Sequence, residues 1–133
     1  MTKTLFVDAH TFDEHHQGIR TFIKGIYEFI DVSPSELQIF LAAYDIENLK
    51  TEFSNQAYFK FIKLKSKNKY RRLAFEIPKI IKDYKFDFAH FNYYLPLFLN
   101  KKCKYIVTIH DVLFIDYPQY FPLKYRLMNT FLF

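Results

Sequence analysis

Two short apolar runs, TLFVDA (residues 4–9) and LQIFLAA (residues 37–43), flank a segment whose apolar residues recur at helical spacing. Ile19, Phe22, Ile23, Ile26, Tyr27 and Ile30 fall at i, i+3, i+4, i+7, i+8 and i+11, one stripe of an amphipathic helix. Strand, helix and strand in that order build a parallel sheet, because parallel neighbours need a long crossover. The pattern then continues. Asp45 is placed to cap a short helix over residues 45–53. YFKFIKL (58–64) sets Phe59, Phe61 and Leu64 among lysines, which predicts a half-exposed or edge strand. Residues 68–84 carry a second helical period through Leu73, Ile77, Ile80, Ile81 and Tyr84, and Pro78 should kink or split it. FDFAHFN (86–92) and residues 104–110 read as two more strands, the last fully buried, and a final helix is expected near Leu123. The fold expected over residues 1–133 is one α/β domain, a Rossmann-like parallel sheet flanked by helices.

Composition sets the outer bounds. A chain of 133 residues, 50% hydrophobic and 21% aromatic, can bury one core and is too apolar to stay disordered. Cys103 is the single cysteine, so neither an internal disulfide nor a cysteine zinc cluster is available, and a cytoplasmic setting is expected. Asp8 breaks the N-terminal apolar run too early for a signal peptide, and no apolar stretch approaches the ~18 residues of a membrane span. A net charge of +5 favours polyanionic or anionic-lipid partners, though modestly. The chain finishes on MNTFLF, apolar and uncapped, and is expected to be cut within its last helix.

The most telling stretch for function is KYIVTIHDVLFIDYPQYFP (104–122), where an apolar run ends abruptly in His110-Asp111. In open α/β sheets ligands gather outside the carboxyl ends of the strands, so these two residues are the catalytic candidates. A histidine bonded to backbone and an aspartate capping a turn is the plainer alternative. His90, Asn92 and Tyr93 close the preceding strand and are candidates for the same rim; tyrosines packing on the core are the alternative. Gly18 opens the first helix, whose free N–H groups suit a phosphate, with Ile19 and Arg20 beside it; a simple tight turn would also explain Gly18. Gly25, mid-helix, is expected to allow close helix–strand packing. Asp13-Glu14-His15-His16 lacks a second ligand cluster at metal spacing, so no metal is expected. Residues 60–72 (KFIKLKSKNKYRR) hold seven Lys/Arg and no acid. Lys63, Lys65, Lys67, Lys69, Arg71 and Arg72 are therefore candidates for an anionic membrane surface, or a solvated strand edge.

Several of these stretches together resemble the N-terminal half of glycosyltransferases of the two-Rossmann (GT-B) architecture, family 4 or "group 1". They are LFVDAH, QGIRTFIKGIYEFI, DFAHFNYYLP and YIVTIHDVLFIDYPQYFP, in family order across the whole chain. Asp8 matches an aspartate closing the first strand. Gly18, Ile19 and Phe22 match a Gly-Ile/Val-x-Arg-Tyr helix start, with Arg20 out of register by one. Val107, Thr108, His110, Asp111 and Pro118 match the Val-x-Thr-x-His-Asp strand end and its following proline. The resemblance implies a retaining transfer of sugar from a nucleotide diphosphate sugar to a glycan or lipid-linked acceptor, without a cofactor. His110 would bond a donor-sugar hydroxyl, the Gly18 loop would approach the diphosphate, and this domain would supply most of the acceptor site. The second Rossmann domain, which grips the nucleotide in that family, is missing, so the chain by itself is expected to be inactive.

A different class remains open: a non-catalytic basic α/β module for anionic lipid, or less readily nucleic acid, since no nucleic-acid motif is present. An unrelated Rossmann-like enzyme with a phosphorylated ligand is a third. No acidic residue stands at the ribose-binding distance from a glycine motif, which disfavours a dinucleotide.

Overall fold

The computed structural model describes residues 1–13, 17–54, 57–110 and 113–132. The strands are β1 (Lys3–Asp8), β2 (Leu37–Ala43), β3 (Phe59–Lys63), β4 (Phe88–Asn92) and β5 (Lys104–Thr108). Between and after them run α1 (Gln17–Glu28), α2 (Ile46–Glu52), α3 (Lys69–Arg71), α4 (Ile77–Tyr84), α5 (Leu113–Asp116) and α6 (Leu123–Leu132). A π-helical turn, Arg72–Glu76, joins α3 to α4. The strands form one sheet in the order β3-β2-β1-β4-β5, every pairing parallel. This is an α/β, Rossmann-like fold. The chain leaves β1 toward β2 on one side and returns to place β4 on the other. The carboxyl ends of β1 and β4 therefore diverge at a topological switch point.

The sheet has a core on each face. On one, Leu5, Val7, Ile39 and Leu41 pack against Ile23 and Tyr27 of α1 and Leu49 of α2. On the other, Phe6, Ala42, Ile62, Ala89 and Phe91 pack against Ile77 and Ile81 of α4. Both faces of the central strands are covered, which is why they read as nearly unbroken apolar runs. Asp45 caps α2 by accepting the Asn48 N–H at 3.3 Å. Pro78 does split its helix: it lies in the first turn of α4, directly after the π-helical turn, where its missing N–H and ring are tolerated.

Two expectations need correction. β5 is not a fully buried strand but the edge opposite β3, and Ile106 on it is 47% exposed. An apolar run cannot reveal whether a second neighbour will pair with it, and among the described residues β5 has only β4. Gly25 faces outward, and a Cβ built there meets nothing within 4 Å, so it does not serve close packing. Gly25→Ala is expected to stabilise the domain by about 1 kcal/mol, the helix-interior difference between the two residues, read as a higher urea midpoint with unchanged slope. Among the described residues no helix is long and apolar enough to cross a membrane.

Candidate functional site

A crevice of about 160 Å³ opens at the switch point, between the carboxyl ends of β1 and β4. Larger recesses exist, of about 550 Å³ beside Pro78–Asp83 and about 340 Å³ beneath the end of α1. Neither borders a strand's carboxyl end, where the sheet's geometry gathers polar groups. The crevice does.

β1 delivers Asp8 to its floor. The Asp8 carboxylate accepts from the His10 ring (Nδ1, 2.9 Å) and from the His10 backbone N–H (3.3 Å). Burial alone pushes this carboxyl up, but His10 and the Arg72 guanidinium outweigh it, so Asp8 titrates below its ordinary value of 3.8. Asp13, just beyond, accepts from the backbone N–H groups of Tyr44 (2.9 Å) and Asp45 (2.6 Å), which ties the loop after β1 to the end of β2. Residues 14–16, the remainder of the Asp13–His16 loop at which no metal was expected, lie outside the described residues. Among those described, no cluster of His, Cys, Asp or Glu could hold a metal ion.

β4 delivers Asn92 and Tyr93. Tyr93 adopts a left-handed backbone (φ 68), uncommon for a bulky residue, and its N–H donates to the Thr108 carbonyl at 3.0 Å. That twist ends β4 and turns the chain across the crevice. Asn92 is 5% exposed, and its Oδ1 accepts from His110 Nε2 at 2.9 Å. The His110 ring also meets the Phe22 ring edge-on at 4.5 Å and lies 5.5 Å from the Tyr93 ring. Phe22 stands one helical turn beyond Gly18 on α1. His110 is half-buried, so it belongs to the open rim, and it shares that rim with Asn92, Tyr93 and the first turns of α1. Ile19 lines the crevice directly. Asp111 lies outside the described residues.

Two candidates are placed elsewhere than expected. His90 does not reach the rim. It is 3% exposed, with Nδ1 2.5 Å from the Tyr27 hydroxyl and Nε2 2.8 Å from the Thr108 hydroxyl, so it ties α1, β4 and β5 together. Burial, reinforced by nearby His110, lowers its pKa below the ordinary 6.5 and so favours the neutral ring. Arg20 turns away from the helix start to pair with Glu52 at 2.8 Å, and it lies over the Phe12 ring. A guanidinium held there does not extend toward a ligand at Gly18. Gly18 itself is exposed, with a conformation open to any residue, so neither a tight turn nor close packing explains it.

The basic run also divides. Lys63, Lys65, Lys67 and Arg71 are exposed, as a surface reading requires, with Lys67 over the Tyr44 ring. Arg72 is 5% exposed and cannot touch a membrane; it lines the crevice, as does Lys69, whose Nζ sits 3.2 Å from the centre of the Tyr94 ring. The cause is the π-helical turn. The Ile77 N–H bonds to the Arg72 carbonyl, an i→i+5 step that rotates Arg72 onto the buried side with Ile77 and Ile81. Sequence reading missed this because a 3.6-residue period puts position 72 elsewhere on the helix. Thr11, also buried beside the crevice, was missed for want of any motif.

Comparison with known proteins gives no matching family model, no similar curated protein and no similar solved structure. The fold and the crevice are thus what the chain itself displays.

Proposed function

We propose that the chain is the acceptor-side domain of a glycosyltransferase that moves a sugar from a nucleotide diphosphate sugar to a glycan or lipid-linked acceptor. The observation that carries this reading is the His110 ring, half-exposed at the rim, bonded to Asn92 and packed on α1 one turn from Gly18. A ring so held can accept a hydrogen bond from a sugar hydroxyl while the first turn of α1 offers backbone N–H groups to a phosphate. The Asn92 bond orients the imidazole: with Oδ1 accepting, Nε2 carries the proton and Nδ1 is left as an acceptor. A departing diphosphate needs positive charge and donors on both of its sides, so in this reading a second Rossmann domain completes the site.

The test is transfer of labelled sugar. In a protein joining this domain to its donor-nucleotide domain, His110→Ala is expected to lower kcat by about 10²–10⁴-fold, the usual worth of a positioned catalytic side chain. Transfer is not expected from the isolated chain. Robust transfer by that chain, or a silent His110→Ala, would overturn the proposal. The alternative of a basic surface module rests on the exposed Lys63, Lys65 and Lys67. It predicts the reverse, with binding to anionic vesicles abolished by reversing those charges and untouched at His110.

A further inference from the structure

Three buried polar atoms lack a hydrogen-bond partner among the described residues: Thr11 Oγ1, Arg72 Nε and Asn92 Nδ2. All three belong to residues lining the switch-point crevice. Each residue is at least 95% buried, so water does not readily satisfy these groups in the way it does at a surface. Two are N–H donors and the third is a hydroxyl that can donate. Groups that remain unsatisfied together, around one recess, point to a ligand that accepts hydrogen bonds on several sides.

The charges specify that ligand further. Arg72 and Lys69 bring two cations to the crevice, and among the described residues neither forms an ion pair with a carboxylate. Among the described residues the Arg72 guanidinium makes one hydrogen bond, a long one from Nη1 to the Lys67 carbonyl at 3.5 Å. Lys69 is held over Tyr94, and burial, with Arg72 nearby, lowers its pKa. Among the described residues Asp8 is the one acid in the lining; the Arg72 charge acts on it, and its Oδ1 is engaged by His10. The recess is well below the ~300–1,000 Å³ of sites that enclose a drug-sized molecule, so a phosphoryl group with the first atoms of its carrier fits and a whole nucleotide does not.

We propose that this crevice binds the phosphate monoester of a small phosphorylated polyol or sugar. Arg72 and Lys69 take the charge, the Thr11 hydroxyl and the Asn92 amide take further oxygens, and the carrier points outward past Tyr93 toward His110. Under the sugar-transfer reading this makes the acceptor a phosphorylated one, but the site stands on its own orphaned donors and would bind its ligand whether or not transfer occurs.

The test is thermal shift and calorimetric titration of the chain with inorganic phosphate, a hexose phosphate and the free hexose. The hexose phosphate is expected to raise Tm and to bind at least tenfold tighter than phosphate, with no response to free hexose. Arg72→Met removes the buried charge and its orphaned Nε while keeping much of the volume. It is expected to weaken the phosphate ester by about tenfold to a hundredfold. Lys69→Gln, at a half-buried position that leaves the fold intact, should weaken it in the same direction. A short-chain phosphatidic acid tells a lipid source from a soluble one, and either supports the site if Arg72→Met removes the response. No shift with any phosphate ester, or a shift that survives both substitutions, overturns the proposal. A negative result here with His110-dependent transfer intact would leave the sugar-transfer reading standing, and the converse pair of results would leave the phosphate site standing.

Discussion

His90→Leu is expected to destabilise the domain by about 2–3 kcal/mol, read as a lower urea midpoint with unchanged slope. The imidazole is the shared partner of the Tyr27 and Thr108 hydroxyls, and leucine fills the space while answering neither. Tyr27 is 5% exposed, so its hydroxyl bears most of the cost of about 1–3 kcal/mol for an unpaired buried group; Thr108 is only half-buried and recovers some bonding from water. The effect depends on pH in a definite sense. The folded-state pKa of His90 is lowered, so below the ordinary 6.5 the unfolded chain takes up a proton that the folded chain refuses. Its contribution to stability is complete above 6.5 and declines as pH falls toward the folded-state value. The gap between wild type and His90→Leu should therefore narrow as pH is lowered through that window. The lowered pKa of Asp8 adds a further loss, confined to pH below the ordinary carboxylate value of 3.8.

Phe91→Ala is expected to cost more, about 3–5 kcal/mol, as for other fully buried phenylalanines. Phe91 is the next residue of β4, on the opposite face, and it is wholly buried. Its ring lies 5.8 Å from that of Phe6 and 6.1 Å from that of Tyr105, with which it stacks. It thus fastens edge strand β5 to the sheet through apolar contact, as His90 does on the other face through polar contact. Thr108 ends β5 two residues before His110, so either substitution should loosen the rim histidine as well as the fold. Cys103 supplies an independent readout, since it belongs to the same core as Phe91 and burial raises its thiol pKa to about 11. It should react slowly with thiol reagents in the wild type and faster in Phe91→Ala at the same pH. Unchanged reactivity and stability would show that β5 is held by something other than this ring.

How far the chain could be read in advance depended on whether a feature was set locally. The stripe from Ile19 to Ile30 and the alternation of lysine with phenylalanine in β3 are local patterns, and they gave the layers and one sheet edge correctly. Strand order is a global property. The run through Tyr105, Ile106 and Val107 looks the same whether it is paired on one side or two, so β5 was misjudged. Gly25 was an avoidable error, because its position already falls outside the apolar stripe that marks the buried face of α1. His90 and His110 are equally polar residues near strand ends, and only the partners brought by Tyr27 and Thr108 separate a sealed ring from an open one. Arg72 was the deepest miss. A run of cations suggests a solvated surface, and nothing in residue order announces an i→i+5 step that turns one of them inward.

The most direct measurement is imidazole-detected NMR of this domain joined to its donor-nucleotide domain, titrated with a nucleotide diphosphate sugar. The ring resonances of His110 should shift saturably, while those of His90, sealed by Tyr27 and Thr108, should scarcely move. A titration in which the His110 resonances stay fixed, or move no more than those of His90, would contradict a sugar-transfer rim at the carboxyl ends of β4 and β5.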